Sequence, residues 1–199
     1  MSVATPYFDQ LFAENDDHWA FRQRRYERRK RAMTLAMLTR PRYASVFEPG
    51  CANGELSFEL AARCDRLLCC DTASAAVALA RSRLLGFPHA EVQQSRLPEQ
   101  WPTGRFELIV LSELCYYLDA EDLCRLIDRA RASLTADGQL LACHWRPPIA
   151  GCPQTAEEVH ALLQQRLAMP QVASYHEHDF LLDLWSCDGT SVATLEGLR

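Results

Sequence analysis

The chain has 199 residues, of which 48% are apolar and 24% are charged, the composition of an ordinary globular domain. Its formal net charge is −5. It has no apolar run near the roughly 20 residues that a membrane-spanning helix needs, and its amino terminus lacks the apolar core of a secretory signal. These features disfavour a membrane, secreted or disordered protein and predict a cytoplasmic chain with one hydrophobic core.

The nine cysteines are scattered along the chain without a C-x-x-C pair, and several lie in apolar, strand-like runs such as LLCCD at 67–71. Zinc sites need clustered ligands, and disulfide scaffolds are usually short and secreted. The sequence therefore predicts reduced cysteines that pack in the core and no metal site.

A basic run, RQRRYERRKR at 22–31, contains seven basic residues and one acid. Trp19, Tyr26, Met33 and Met37 recur around it at helical spacing, which predicts an amphipathic helix docked on the rest of the chain. A phosphate track for RNA is the alternative interpretation. Because aromatic residues are sparse in the run, we favour a solvated helix face.

Beyond residue 40, short apolar runs alternate with helical stretches. We expect five strands, at 43–48, 66–71, 90–94, 106–112 and 139–145. The run FELIVLS at 106–112 is apolar on both faces, as a buried parallel strand should be. Two last strands are expected at 179–186 and 191–196, joined by the turn Asp188-Gly189. This order predicts an α/β fold with a doubly wound, mostly parallel sheet that ends in an antiparallel hairpin.

Three helix starts carry capping residues. Thr72 is the expected N-cap of the helix that follows the second strand, and Asp119 is that of a helix at 120–134. Thr155 and Glu158 have the spacing of a capping box. These signals predict where helices begin between the strands.

Ligands of such a sheet bind beyond the carboxyl ends of the strands. The first strand ends in VFEPGCANGE, where Gly50 and Gly54 allow a tight turn and a close backbone approach to a ligand. Glu48 can hold a cation there or order the loop. Ala52 and Glu55 stand where a dinucleotide fingerprint needs glycines, which disfavours nicotinamide chemistry.

Two further strand ends carry polar groups. Asp71 ends the second strand, where an acid can accept both ribose hydroxyls of a nucleoside ligand or simply favour the following helix start. Ser112 and Glu113 follow the fourth strand in FELIVLSELCYYL. Tyr116 and Tyr117 come next and offer aromatic walls above a ligand crevice.

In order and spacing, these strand ends resemble the class I S-adenosylmethionine (SAM)-dependent methyltransferases. The strings HWAFRQRRYERRK, LPEQWPTGRFELIVLSELCYYL and HWR resemble the nodulation-protein-S (NodS-like) family of small N-methyltransferases. The matching strings span most of residues 18–146. The resemblance implies a Rossmann-like, seven-stranded sheet, with residues 1–40 as a helical lid and 41–199 as the SAM-binding domain. The cofactor-binding residues that it implies are Trp19, Tyr26, Glu48, Gly50, Cys51, Gly54, Asp71, Thr72 and Ser112.

The chain departs from the family pattern at two places. Ala52 replaces a common glycine, which is a small change. The acidic residue that usually follows the third strand is missing from QQSRLP, where Ser95 and Arg96 stand instead. Adenine would then be held by backbone groups and stacking.

Methyl transfer requires an acceptor with a free lone pair, so a base helps when the acceptor is protonated. Glu113 and His144, at the ends of the fourth and fifth strands, are the candidate catalytic residues, although a histidine in an apolar strand is more often structural. The expected activity is SAM-dependent N-methylation of a small-molecule amine, such as an amino sugar or an oligosaccharide derivative. The alternatives are an RNA methyltransferase that uses the basic run and a non-catalytic protein that binds SAM or a partner. The expected partner is a small molecule, not nucleic acid or a membrane, and the sequence gives no signal for oligomeric state.

Overall fold

The computed structural model describes all residues, 1–199, and contains one seven-stranded sheet with the order β3-β2-β1-β4-β5-β7-β6. Strands β1 to β5 are parallel, and β7 runs antiparallel to its neighbours β5 and β6. The strands are β1 Val46–Pro49, β2 Leu67–Asp71, β3 Ala90–Gln94, β4 Phe106–Ser112, β5 Leu134–Trp145, β6 Gln171–His176 and β7 Phe180–Ser186. The doubly wound sheet with an antiparallel C-terminal hairpin is therefore confirmed.

Seven helices accompany the sheet, with a short 3₁₀ turn at Cys115–Tyr117. The helices are α1 Thr5–Glu14, α2 Arg25–Met37, α3 Glu55–Ala61, α4 Ser74–Arg83, α5 Ala120–Ala132, α6 Ala156–Leu167 and α7 Val192–Leu195. None of them combines the length and the hydropathy needed to cross a bilayer.

The strand β4 explains how the sheet is covered on both faces. Its residues alternate between two cores: Ile109 and Leu111 pack in the core that contains the apolar residues of α5 and α6. Leu108 and Val110 pack in the other core, with residues of α3 and α4. All four side chains are fully buried, and burial of each contributes roughly 1.5–3 kcal/mol. A strand with buried apolar side chains on both faces is thus fixed at the centre of the sheet.

Two of the three predicted caps are confirmed. Asp119 accepts hydrogen bonds from the backbone N–H groups of Glu121 and Asp122 at the start of α5, and Thr155 and Glu158 form the predicted capping box of α6. Thr72 does not cap α4, because the N-cap position is Ala73. The Thr72 hydroxyl instead shares a 2.7 Å hydrogen bond with the hydroxyl of Thr5.

The predicted strand at 191–196 is wrong. Residues Val192–Leu195 form α7, whose first turn is capped by the Ser191 side chain. The hairpin partner of β7 is β6 at Gln171–His176, an edge strand without a buried residue. Its weak apolar content gave no strand signal, whereas the side-chain cap of Ser191 favours a helix.

Three boundaries also differ from the prediction. Trp19 lies outside any helix, since α2 begins at Arg25 and Ala20 has a φ of 56°, which breaks a right-handed helix. The helix predicted at 120–134 ends at Ala132, and β5 begins at Leu134, five residues before the predicted start. The pairing of β4 with β5 has a register shift between Phe106 and Leu108 of β4.

Candidate active site

A cavity of about 600 Å³ lies at the carboxyl ends of the central strands, with residues of α1 and α2 on its walls. This volume is within the usual range for small-molecule sites. Of the eleven residues predicted for the site, Gly54 and His144 are not part of the wall. The other nine line it: Trp19, Tyr26, Glu48, Gly50, Cys51, Asp71, Thr72, Ser112 and Glu113.

The glycine turn after β1 and the end of β2 meet at one side of the cavity. The Asp71 carboxylate accepts hydrogen bonds from the backbone N–H of Ala52 and that of Ala73, both at 3.0 Å. Burial raises the pKa of Asp71, although these two N–H groups offset part of the effect. The carboxylate is therefore held in one orientation, with further acceptor capacity toward the cavity.

The two glycines of this turn have different roles. Gly50 has a φ of +73° and lines the cavity, where an added Cβ would lie 3.3 Å from the Leu114 side chain. Gly54 has a φ of +82°, and a Cβ there would lie 2.9 Å from the Cα of Ala80 in α4. Gly54 thus permits close packing of α3 on α4, while only Gly50 borders the cavity.

Glu48 is a buried carboxyl group of the cavity wall, 2% exposed. Its Oε2 accepts a hydrogen bond from the Sγ of Cys69 at 3.6 Å. Burial raises the pKa of Glu48 to about 7, and the nearby Asp71 adds to the shift. Near neutral pH this group can therefore hold either a proton or a cation.

Glu113, which follows β4, has both carboxylate oxygens occupied. Its Oε1 accepts a 2.8 Å hydrogen bond from the Nζ of Lys30. Its Oε2 accepts from the hydroxyl of Tyr116 and, at 3.1 Å, from the backbone N–H of Trp145. The residue has a φ of 55°, a strained conformation that proteins retain mainly at functional sites.

Two residues of α2 that were not predicted from the sequence extend this network. Lys30 is 5% exposed and Glu27 is 7% exposed. The Nζ of Lys30 lies 3.1 Å from the Oε2 of Glu27 and 5.2 Å from the ring centroid of Tyr26. Burial disfavours the charged amine, but the carboxylates of Glu113 and Glu27 outweigh it and raise the pKa of Lys30. The single acid of the basic run, three residues before a lysine, is the signal that could have revealed the pair.

His144 is fully buried and does not line the cavity. Its Nε2 accepts a hydrogen bond from the backbone N–H of Cys115, and its Nδ1 lies 3.0 Å from the Nε2 of His160. The Nδ1 of His160 in turn lies 2.5 Å from the carboxylate of Asp183. Burial lowers the pKa of His144 well below its usual value. The expectation that His144 is a catalytic base is therefore corrected, because its lone pair is already used.

More than half of the basic residues in the run form ion pairs with carboxylates of the same chain. Four of its seven basic residues are paired with carboxylates: Arg22 with Asp16, Arg29 with Glu177, Lys30 with Glu27 and Glu113, and Arg31 with Glu55. Paired cations have less charge to offer to a phosphate backbone. This arrangement favours the structural interpretation of the run.

Comparison with known proteins decides the family. The family model described as nodulation protein S (NodS) matches residues 9–175. Nodulation protein S of Bradyrhizobium diazoefficiens is 30% identical over 158 residues, which cover 77% of this chain and 76% of the relative. The chain belongs to the NodS family.

Two solved structures support the assignment of this NodS-family protein. The N-methyltransferase NodS of Bradyrhizobium japonicum, in complex with S-adenosylhomocysteine, is 25% identical with a TM-score of 0.82, covering 92% of this chain and 97% of that one. A Pseudomonas syringae protein provisionally described as a methyltransferase is 64% identical with a TM-score of 0.75, covering 82% of this chain and 99% of that one. The protein is a SAM-dependent methyltransferase of class I.

The cavity of this NodS-family protein fits SAM in its size and in its polar groups. The buried Asp71 carboxylate faces it beside a glycine turn. Two polar atoms of its wall, the Oδ1 of Asn53 and the hydroxyl of Tyr26, are buried without a hydrogen-bond partner. Buried polar atoms normally have partners, so a ligand would satisfy them. The residues after β3, Ser95 and Arg96, also line the cavity and supply no carboxylate for adenine.

Proposed function

We propose that this NodS-family methyltransferase N-methylates a primary amine of a small molecule, such as an amino sugar or an oligosaccharide derivative. The observation that carries the proposal is the position of the Lys30 ammonium. It lies between the carboxylates of Glu27 and Glu113 and near the face of Tyr26. Carboxylates and aromatic faces are the groups that recognise an ammonium ion, and a structural relative carries the name N-methyltransferase.

One half of the cavity, which we call the cofactor half, is centred on the carboxyl ends of β1 and β2 and on the turns that follow them. Asp71 would accept the ribose hydroxyls of SAM, and Glu48 and Gly50 would border its methionine part. Bound SAM supplies an electrophilic methyl group. Gly54 would act indirectly, through the packing of α3 on α4. The other residues proposed to contact the cofactor are Trp19, Tyr26, Cys51, Thr72 and Ser112.

The other half, which we call the acceptor half, consists of Glu27, Lys30, Glu113, Tyr116 and Trp145. Methyl transfer depends mainly on alignment of the reacting atoms and on exclusion of water. Glu113, fixed by three donors, would orient the acceptor's polar groups.

The N-terminal segment, residues 1–40, would act as a lid over both halves. Its aromatic side chains lie on the cavity wall, where Trp19 also contacts Phe12 at a centroid distance of 5.7 Å. Such a cover removes water from the reacting groups, which strengthens every electrostatic interaction inside.

The proposal is tested with methyl-labelled SAM and a panel of acceptors: glucosamine, its β-linked dimer and ethanolamine, with glucose as the matched compound that has a hydroxyl in place of the amine. We expect N-methylated products from the amines, identified by mass spectrometry, and none from glucose. Methylation of glucose to the same extent would contradict N-specificity. Tight binding of S-adenosylhomocysteine without turnover of any amine would contradict the acceptor class.

A further inference from the structure

The carboxylate of Glu27 has one oxygen atom that accepts no hydrogen bond from the chain, although the Lys30 ammonium lies near it. Lys30 forms a hydrogen bond of 3.4 Å with Oε1. Its Nζ lies 3.1 Å from Oε2, but Oε2 has no partner with hydrogen-bonding geometry and is buried. The adjacent hydroxyl of Tyr26 is also buried without a partner, and both residues line the cavity. A buried carboxylate oxygen that lacks an aligned donor can accept a further hydrogen bond, which points to a donor that arrives with a ligand.

The ion-paired groups around Glu27 have one negative charge that no contacting cation neutralises. The titratable and charged groups that face it are Tyr26, Lys30 and Arg31 of its own helix, Glu113 after β4 and Cys143 of β5. Arg31 lies 4.0 Å from Glu55, a carboxylate that Arg22 and Arg83 also contact, and it forms no ion pair with Glu27. Lys30 is the cation in contact with both Glu27 and Glu113, and these three groups together carry a net charge of −1 when both carboxylates are ionised.

Glu27 and Glu113 are not equivalent within this group. Glu113 accepts hydrogen bonds from Lys30, Tyr116 and the backbone N–H of Trp145, so both of its carboxylate oxygens already have donors within the chain. Burial raises the pKa of Glu27, and the repulsion from Glu113 adds to this, against the attraction of Lys30. A raised pKa makes a carboxylate a better base near neutral pH.

We propose that Oε2 of Glu27 is the general base of the reaction, which binds the acceptor as a primary ammonium ion and removes one of its protons. One N–H bond of the ammonium breaks, its electron pair stays on nitrogen as the lone pair, and the proton forms an O–H bond with Oε2. The neutral amine then bonds to the methyl carbon, and the electron pair of the broken C–S bond stays on sulfur. Lys30 and Glu113 position this carboxylate. The inference rests on the proposed amine acceptor.

The inference can be tested without turnover by counting the protons that are released to the buffer when the acceptor binds. Glucosamine is titrated into the protein saturated with S-adenosylhomocysteine, by calorimetry in two buffers of different ionisation enthalpy, below the solution pKa of glucosamine. The wild-type chain binds the ammonium and keeps its proton, so we expect no net release to the buffer. Glu27→Gln has no carboxylate at this position, so we expect about one proton released for each glucosamine bound, or loss of glucosamine binding with S-adenosylhomocysteine binding retained.

The pH profile of kcat/KM gives a second readout. Wild-type activity should fall only as the pH drops through the raised pKa of Glu27, because the base must be ionised. Glu27→Gln can use only amine that is already neutral, so its activity should fall below the solution pKa of glucosamine. The loss should be about 100-fold or more at low pH and should shrink toward wild type above that pKa. A purely structural role would lower activity equally at all pH values.

Two further variants complete the test. Glu59→Gln makes the same change at an exposed position of α3 and should behave as wild type. Glu27→Asp keeps a carboxylate and should keep the wild-type proton count. If Glu27→Gln does not fold, the pH profile of kcat/KM for Glu27→Asp tests the inference instead. Equal proton counts and parallel pH profiles in wild type and Glu27→Gln would overturn the role of Glu27 alone. A wild-type chain that neither binds nor methylates any amine of the panel would instead refute the proposed function.

Discussion

The cofactor half and the acceptor half of the cavity are built by different means. In the cofactor half, backbone N–H groups within a few residues of the strand ends hold Asp71. In the acceptor half, side chains far apart in sequence hold one another, as Lys30 does with Glu113 across 83 positions. The first arrangement follows from the fold, whereas the second depends on the N-terminal segment being docked.

Because of this difference, binding of the cofactor and binding of the acceptor depend on different parts of the molecule. A class I sheet always places a turn after β1 beside the end of β2, so the cofactor half can be shared by enzymes with different acceptors. The acceptor half consists of charged and aromatic side chains whose arrangement can change without any change in the sheet. Variants in the two halves should therefore affect different steps.

Apart from the Glu27 variants, we expect the largest effect from a substitution of Asp71 in the cofactor half. Asp71→Ala removes the proposed ribose acceptor and leaves the N–H groups of Ala52 and Ala73 without their partner. S-adenosylhomocysteine affinity should fall by up to roughly 100-fold, the cost of unmet buried hydrogen bonds. Calorimetric titration measures this directly, and the KM for glucosamine at saturating SAM should change much less.

The matched control is Asp65→Ala. Asp65 is an exposed carboxylate that pairs with Arg42 at 2.5 Å, and its removal should leave S-adenosylhomocysteine affinity at the wild-type value. An Asp71→Ala chain with unchanged affinity would show that the ribose is held elsewhere. A similar rise in KM for glucosamine would show that the two halves are not separable.

A smaller effect, on stability, is expected at His144, which is buried outside the cavity wall. His144→Asn weakens the hydrogen bond to Cys115 and should reduce the free energy of unfolding at pH 8 by about 1–2 kcal/mol. The folded chain keeps His144 neutral, whereas the unfolded chain binds a proton there below about pH 6.5. Wild-type stability should therefore fall below that pH by up to about 1.4 kcal/mol per unit. The variant has no histidine at this position and lacks this pH dependence. The difference in free energy of unfolding between wild type and variant should therefore shrink toward pH 5, which denaturant titrations at several pH values would measure.

His178→Asn is the matched control, because His178 is exposed. Its unfolding free energy should follow that of wild type at every pH. If His144→Asn instead kept full stability and lost turnover at all pH values, the histidine would have a catalytic role after all. The buried hydrogen bond from Cys115 to its Nε2 argues against that outcome.

The sequence predicted the parts of the molecule that depend on local patterns. The apolar run of β4, the glycine turn and Asp71 are each readable within a few residues, because burial on two faces and positive φ values constrain residue type. The roles of Glu27 and Lys30 could not be predicted from the sequence. In a helix rich in charged residues, the pattern does not show which face packs against the rest of the chain. His144 was misjudged for the same reason: its acceptors and donors, Cys115 and His160, are 29 and 16 positions away.

The smallest effect should come from the contact that ties α2 to the C-terminal hairpin. Arg29 donates to both carboxylate oxygens of Glu177, at 2.9 and 2.7 Å, and to the hydroxyl of Tyr175. Because exposed ion pairs contribute little, Arg29→Gln should raise the KM for glucosamine within about threefold and leave S-adenosylhomocysteine affinity unchanged. Arg166→Gln breaks a similar exposed pair with Asp128 and should change neither. A tenfold loss of S-adenosylhomocysteine affinity in Arg29→Gln would mean that the docked helix, and not the sheet alone, shapes the cofactor half.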